Sequence, residues 1–274
     1  MTIEPVKFAI AQMCTTADID ANLARIADLM AEAAAQGAKA ITLPENCALM
    51  ASSEAQRQQA IEVYGLQGSV QSRLAALAKQ HQLWLFAGSH PIDSGVPGRP
   101  YQRMLCYTPD GGVAGCYDKI HLFDVDISAT ESYHESTYTL PGRASSTVLS
   151  LPFGMIGLSI CFDIRFPNLY QRLRKMGAQI LLIPSAFTRP TGRAHWLPLL
   201  QARAIETQCY VLASAQYGDH GNGRTTWGHS CVIDPWGEVL VDMGDSSDGV
   251  VVVDIDLAKL AAIRQRMPLE SVLQ

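Results

Sequence analysis

Two tight-turn signals interrupt what would otherwise be a regular alternation of strands and helices. The apolar runs VKFAIAQ (6–12), AITLPEN (40–46) and LWLFAGSH (83–90) are separated by stretches with helical spacing, 19–36 and roughly 69–81, the first ended by Gly37. Residues 103–118 break this rhythm, because RMLCYTP and VAGCYDK flank DGG, a strong hairpin signal. A second hairpin is expected where HSCVIDP and EVLVDM flank WG, followed by a strand at GVVVVDID (249–256). Between them lie GMIGLSI (154–160), a helix whose first turn follows Pro167, AQILLIPS (178–185), a long helix near 193–208 and CYVLASAQ (209–216). Alternation calls for α/β layering, whereas hairpins join antiparallel strands and exclude a simple doubly wound parallel sheet. The expected architecture is two mixed sheets packed face to face with helices outside.

Across 274 residues no Pro/Gly/Ser-rich linker, charge block or internal repeat divides the chain, so one domain over 1–274 is expected. Charged residues are 17% and apolar ones 48%, which excludes disorder as the default state. A net charge of −5 gives no reason to expect nucleic acid or an anionic membrane as a partner. The N-terminal MTIEPVKFAI lacks a basic region followed by a long apolar run, and no window approaches the ~18 apolar residues of a membrane span. A cytoplasmic location is expected, with a small molecule or a second copy of the chain as partner. The seven cysteines are scattered, without paired CxxC spacing, and the histidines show no HExxH, so neither a metal nor another cofactor is expected. GDHGNG (218–223) precedes no helix and lacks a following Lys-Ser/Thr, so it reads as a flexible loop and not a phosphate cradle.

Three residues stand where chemistry is expected. Cys161 ends the apolar GLSI and precedes FDIRFP, a strand-to-helix turn at which a sulfur can feel backbone N–H groups and positive charge, both favouring thiolate. The plainer alternative is a core cysteine that merely ends a strand. Glu45, after Pro44, sits at a strand end, where α/β sheets place reactive groups, and partial burial would raise its pKa toward that of a general base. It also reads as a solvated loop carboxylate. Lys119, in GCYDKIHLFDVDI, is either a surface cation beside Asp118 or, if close to Cys161, a group that lowers the thiol pKa and neutralises an oxyanion. His121 and His195 are candidates for a Cys–His dyad and equally for satisfied core histidines.

Taken together, LPEN with Glu45, YDKIHLFDVDI with Lys119 and GLSICFDIRFP with Cys161 resemble the catalytic triad of the nitrilase superfamily of carbon–nitrogen hydrolases, in order and in local context. The likeness runs over essentially the whole chain, and PSAFTRPTGRAHW and ARAIETQCYV resemble its Nit-type amidase branch. The resemblance implies a four-layer αββα sandwich of two mixed sheets flanked by helices. It also implies a homodimer or larger assembly, with the helix after Cys161 and the C-terminal region in the interface. For the site it implies Glu45, Lys119 and Cys161 as catalytic residues, with Glu135, sixteen residues after Lys119, completing a tetrad in preference to Glu131. It further implies Arg165 and Thr191 as binders of a substrate carboxylate, and the backbone N–H of Phe162 as an oxyanion donor. Arg189 and Arg193 depart from the branch pattern and predict a more basic pocket mouth, while RMPLESVLQ lacks the basic tail common there. The implied activity is hydrolysis of the amide of a small carboxylate-bearing substrate through a cysteine thioester, with release of ammonia. Deaminated glutathione is the first candidate; α-ketoglutaramate and an N-carbamoyl amide are the alternatives within the superfamily. An inactive scaffold and a Cys–His peptidase are the alternatives outside this chemistry.

Overall fold

The computed structural model describes residues 4–65, 68–128, 131–143 and 145–269, so the end of the RMPLESVLQ segment lies outside the described residues. In chain order its elements are β1 (Val6–Gln12), α1 (Ile19–Ala35), β2 (Ala40–Leu43), α2 (Glu54–Gln59), α3 (Ser69–His81), β3 (Trp84–Ile92), β4 (Tyr101–Tyr107) and β5 (Val113–Asp118). There follow β6 (Asp124–Asp126), β7 (Ser132–His134), β8 (Thr147–Leu151), β9 (Gly154–Leu158), α4 (Pro167–Lys175), β10 (Ile180–Leu182), α5 (Arg189–Thr207) and β11 (Tyr210–Ala213). The chain closes with β12 (Tyr217–Asp219), β13 (Thr225–Trp227), β14 (Cys231–Ile233), β15 (Val239–Asp242), β16 (Gly249–Ile255) and α6 (Leu257–Arg266).

The strands form two six-stranded sheets, ordered β16-β1-β2-β3-β4-β5 and β15-β14-β11-β10-β9-β8, and two small ribbons, β6-β7 and β12-β13. Both sheets are mixed: β1-β2-β3 and β9-β10-β11 run parallel, and hairpins add antiparallel strands at the edges. β1 shows why its sequence is a nearly continuous apolar run, since both of its faces are buried. Phe8 and Ile10 pack toward Ile156, Leu158 and Val232 of the second sheet, whereas Ala9 and Ala11 pack with Leu23, Ile26 and Leu29 of α1 and Leu74 of α3. Leu169 and Leu173 of α4 and Trp196 and Leu200 of α5 join the core of the second sheet. The layers are therefore helix, sheet, sheet, helix, as expected.

Both hairpins form, and the long helix starts at Arg189, four residues before its expected start, with a proline in its first turn and the Thr188 hydroxyl accepting from the Thr191 N–H. The elements that escaped the periodicity include β8, a short edge strand; the small ribbons β6-β7 and β12-β13; α2, with no buried residue; and α6, whose core contacts are Leu260 and Ile263. The stretch 218–223, expected to be a loop, supplies the last two residues of β12 and most of the turn that leads to β13. Among the described residues no helix is long and apolar enough to cross a membrane.

Candidate active site

The first carboxylate is delivered by a strand that is forced to stop. Pro44 follows β2, Glu45 comes next, and Asn46 takes a left-handed conformation (φ 58°), which asparagine tolerates better than most residues. The neighbouring strand leaves room for this turn, because a Cβ on Gly88 of β3 would lie 1.7 Å from the Pro44 carbonyl oxygen. Gln216 donates to the Glu45 carbonyl at 2.9 Å, so the backbone beneath the carboxylate is pinned from the second sheet.

Lys119 follows β5 directly, its N–H donating to the Gln102 carbonyl and its own carbonyl accepting from Gly142. Its side chain is 2% exposed and ends between two carboxylates: Nζ donates to Glu45 Oε1 at 2.8 Å and to Glu135 Oε1 and Oε2 at 3.1 and 2.8 Å. Glu135 is carried on a short 3-10 turn after β7, and its Oε2 also accepts from the Phe123 N–H at 2.7 Å. Glu131 instead accepts from the Tyr133 hydroxyl.

Cys161 opens a 3-10 turn (Cys161–Arg165) between β9 and α4 and is itself left-handed, at φ 49°. A non-glycine residue held there stores backbone strain, which requires clamps around it. Its N–H donates to the Pro184 carbonyl at 2.9 Å. Beneath it lies Asp163, fully buried, whose carboxylate accepts from the Ile160 N–H (2.9 Å), the Tyr117 hydroxyl (2.7 Å) and the His121 N–H (3.0 Å), with His121 Nδ1 at 2.6 Å. The thiol lies close enough to the Glu45 carboxylate and the Ala186 N–H for both to act on its pKa.

Electrostatics assign the resting protonation states. Burial alone would raise the Glu45 pKa, but the ammonium of Lys119, its hydrogen bond and the charge of Arg224 outweigh burial and hold it below the usual carboxylate value. Burial and the adjacent Glu45 charge push the Cys161 thiol well up, more than Lys119 pulls it down. Burial opposes the charge of Lys119, yet Glu135 and Glu45 hold it firmly protonated. Two expectations are thereby corrected. Glu45 is not a carboxylate with a raised pKa, and Lys119 does not leave a thiolate at rest: the site holds a neutral thiol beside an ionised carboxylate.

These groups open on a cavity of about 230 Å³, small even for a small-molecule site. Phe162 and Thr191 line it; Arg165 does not, and lies with both Nη atoms 3.3 Å from His195 Nδ1 and its guanidinium over the Phe162 and Phe187 rings. Neither His121 nor His195 reaches the cavity, since His121 is held by Asp163 and stacked on Phe166. Arg189 and Arg193 are exposed on α5 and do not line it either; Arg193 faces a separate cleft beside Trp196 and His229. The arginines that do line it, Arg57 and Arg224, carry no sequence motif and were not singled out by the sequence. Asp163 was within reach of sequence reasoning, as a buried-type acid two residues after a strand-end cysteine. Among the described residues, no group of three or more His, Cys, Asp or Glu could hold a metal ion.

The arrangement sets a thiol and two carboxylates around one ammonium in a single cavity, a set whose chemistry suits acyl transfer from an amide. Comparison with known proteins gives the same chemistry. The sequence profile of the carbon–nitrogen hydrolases matches residues 7–265. A deaminated glutathione amidase from Synechocystis sp. (strain PCC 6803 / GT-S) is 38% identical over 268 residues, 97% of each chain. The crystal structure of the NitFhit protein of C. elegans superposes with a TM-score of 0.91 at 34% identity, covering 99% of this chain and 65% of that one. A mutant of the amidase from Nesterenkonia sp. AN1, with acrylamide added at its active-site cysteine, superposes with a TM-score of 0.79 at 25% identity, over 96% of this chain and 98% of that one.

Proposed function

The chain belongs to the carbon–nitrogen hydrolase family and is an amidase, and from that premise we propose that Cys161, Glu45, Lys119 and Glu135 hydrolyse a small carboxylate-bearing amide through a thioester, with deaminated glutathione as substrate. The observation that supports the assignment of residues is Lys119 Nζ held between the two carboxylates in the same cavity that Cys161 lines. Glu45 takes the thiol proton as sulfur attacks the carbonyl carbon; Lys119 and the Phe162 N–H receive the oxyanion. Collapse breaks the C–N bond and the leaving amine takes the proton from Glu45. Water then passes a proton to Glu45 and its oxygen to the thioester, and the second collapse returns that proton to sulfur as the acid leaves. Coupling proton removal to attack matters here, because burial keeps the thiol neutral at rest. Glu135 orients Lys119 and the substrate, and Thr191, which lines the cavity, is a carboxylate contact; Arg165, which the family resemblance also assigns to that task, lies outside the cavity.

The leaving group depends on the substrate. Ammonia leaves only a primary amide such as α-ketoglutaramate, whereas the amides of deaminated glutathione are secondary and release an amine. The working unit is a single domain, 1–274, in a cytoplasmic homodimer or larger assembly; exposed Met176, Ile205 and Met267, on or just after α4, α5 and α6, support an apolar interface there.

The test is product analysis by mass spectrometry with deaminated glutathione and α-ketoglutaramate, for wild type and Cys161→Ala. Amine release from the first substrate, abolished in a folded variant, is expected. Retained turnover in Cys161→Ala refutes the mechanism, and a preference for α-ketoglutaramate with ammonia release refutes the substrate.

A further inference from the structure

Three cations line the catalytic cavity, and they are not equivalent. Lys119 is matched by two carboxylates, and Arg57 is bonded to Glu54 and stacked 3.9 Å over the Tyr138 ring. Arg224 has no carboxylate partner among the described residues. Of its five N–H donors one has a recorded acceptor: Nη2 donates to the Ala186 carbonyl at 2.8 Å, while Nε is buried without a partner and the guanidinium lies 5.6 Å from the Tyr133 ring centre. A buried unpaired donor on a charged group is unfavourable unless something arrives to meet it.

The position of Arg224 is set by the backbone. The Arg224 N–H donates to Asn222 Oδ1 at 3.0 Å, the Arg224 carbonyl accepts from the His220 N–H, and Asn222 Nδ2 donates to the Ala51 carbonyl at 3.0 Å, so the turn before β13 is tied to the connection between β2 and α2. Ala186, whose carbonyl receives Arg224, lines the cavity together with Cys161 and Arg224, so the guanidinium and the thiol open on the same space. The reacting centre carries two carboxylates against one ammonium, so it repels an anionic substrate unless another cation is presented beside it.

We infer that Arg224 is a specificity-determining residue, which receives a carboxylate of the substrate in the cavity through its unused guanidinium edge. A planar fork with free parallel donors suits a carboxylate better than a lysine would. The inference rests on the amidase reading in taking the substrate to be an acid amide, and it places this contact on Arg224, inside the cavity, and not on Arg165, which faces His195 outside it.

The test is ligand protection of Cys161, which needs no turnover. Alkylation of the thiol by neutral iodoacetamide is timed with and without 2-oxoglutarate or glutarate, in wild type, Arg224→Gln, Arg224→Lys and Arg165→Gln. Each protein's rate without ligand is its own reference, so an altered intrinsic rate does not affect the ratio. Both dicarboxylates are expected to protect wild type. The protection constant is expected to weaken about 10–100-fold in Arg224→Gln, the range of a charge-assisted hydrogen bond, and by less in Arg224→Lys. Arg165→Gln is expected to protect as wild type does. Protection lost in Arg165→Gln and kept in Arg224→Gln overturns the inference, as does absence of protection in wild type. If Arg224→Gln does not fold, Arg224→Lys decides: protection as strong as in wild type overturns a role for the fork. Arg224-dependent protection without turnover of deaminated glutathione would leave the inference standing and remove the proposed substrate.

Discussion

Replacing Lys119 by methionine keeps the length of the side chain and deletes the charge that the two buried glutamates share. Lys119 is fully buried and donates three short hydrogen bonds, two of 2.8 Å and one of 3.1 Å. Removing one partner of such a group leaves uncompensated buried charge, typically costing about 3–5 kcal/mol. The variant has one escape, which is to bind a proton on Glu45 or Glu135. In wild type Glu45 is held below its ordinary value, so its contribution to stability is fully present above about pH 4.5 and is lost only as pH falls through the depressed folded pKa. In the variant the sign reverses: a raised folded pKa makes the native state gain stability as pH falls, by up to ~1.4 kcal/mol per pH unit for one proton. Urea denaturation of both proteins at pH 7.5 and 5.5 measures this. The deficit of Lys119→Met is expected to be about 3–5 kcal/mol at pH 7.5 and to shrink by up to about 2.7 kcal/mol at pH 5.5. A deficit below about 1 kcal/mol, or one unchanged between the two pH values, would refute the charge argument. Catalysis should fall by roughly 10²–10³ or more at both pH values, through loss of the oxyanion cation.

Further expectations concern the groups around the nucleophile. Because burial and Glu45 raise the Cys161 pKa, its alkylation by iodoacetamide should show no thiolate titration between pH 6 and 8; a sigmoidal rise centred there would contradict a neutral resting thiol. Glu45→Gln should lower kcat about 10²–10⁴-fold with the fold retained, read by steady-state kinetics beside circular dichroism. Asp163→Asn puts an NH₂ where the carboxylate accepts from Ile160, Tyr117 and His121, and should lower stability by about 1–3 kcal/mol along with kcat; unchanged denaturation and kinetics would remove its clamping role. Gly88→Ala drives a Cβ into the Pro44 carbonyl and should displace Glu45, giving a protein whose Cys161 still alkylates but whose amidase activity is lost.

Much of the site was legible in the chain because its key groups stand where local pattern changes. Glu45 follows a proline that ends a strand, Lys119 leaves a hairpin and Cys161 ends an apolar run, so each stands out as a candidate with a plainer alternative beside it, and the family resemblance joined them into one set. That resemblance also pointed to Glu135, sixteen residues after Lys119, which bonds to the same ammonium. What misled was the sign of two pKa shifts. A sequence gives proximity in kind, whereas pKa depends on whether a lysine meets one carboxylate or two and on how completely water is excluded. Arg224 and Arg57 were missed for a related reason: they lie 179 and 12 residues from Glu45, one in a turn without pattern and the other on the short helix α2 with no buried residue, and only chain folding brings both to one cavity.

The sequence by itself determined the layering and the reactive groups, because hydrophobic periodicity, hairpin turns and strand-ending residues are local properties that each segment carries wherever it ends up. The tertiary structure alone decided that β16 pairs with β1 across the length of the chain, that the thiol rests protonated, and which of the cavity's two arginines has no carboxylate partner among the described residues. Those outcomes depend on burial and on distances between residues far apart in sequence, and Coulomb and desolvation energies are set by that arrangement and not by composition.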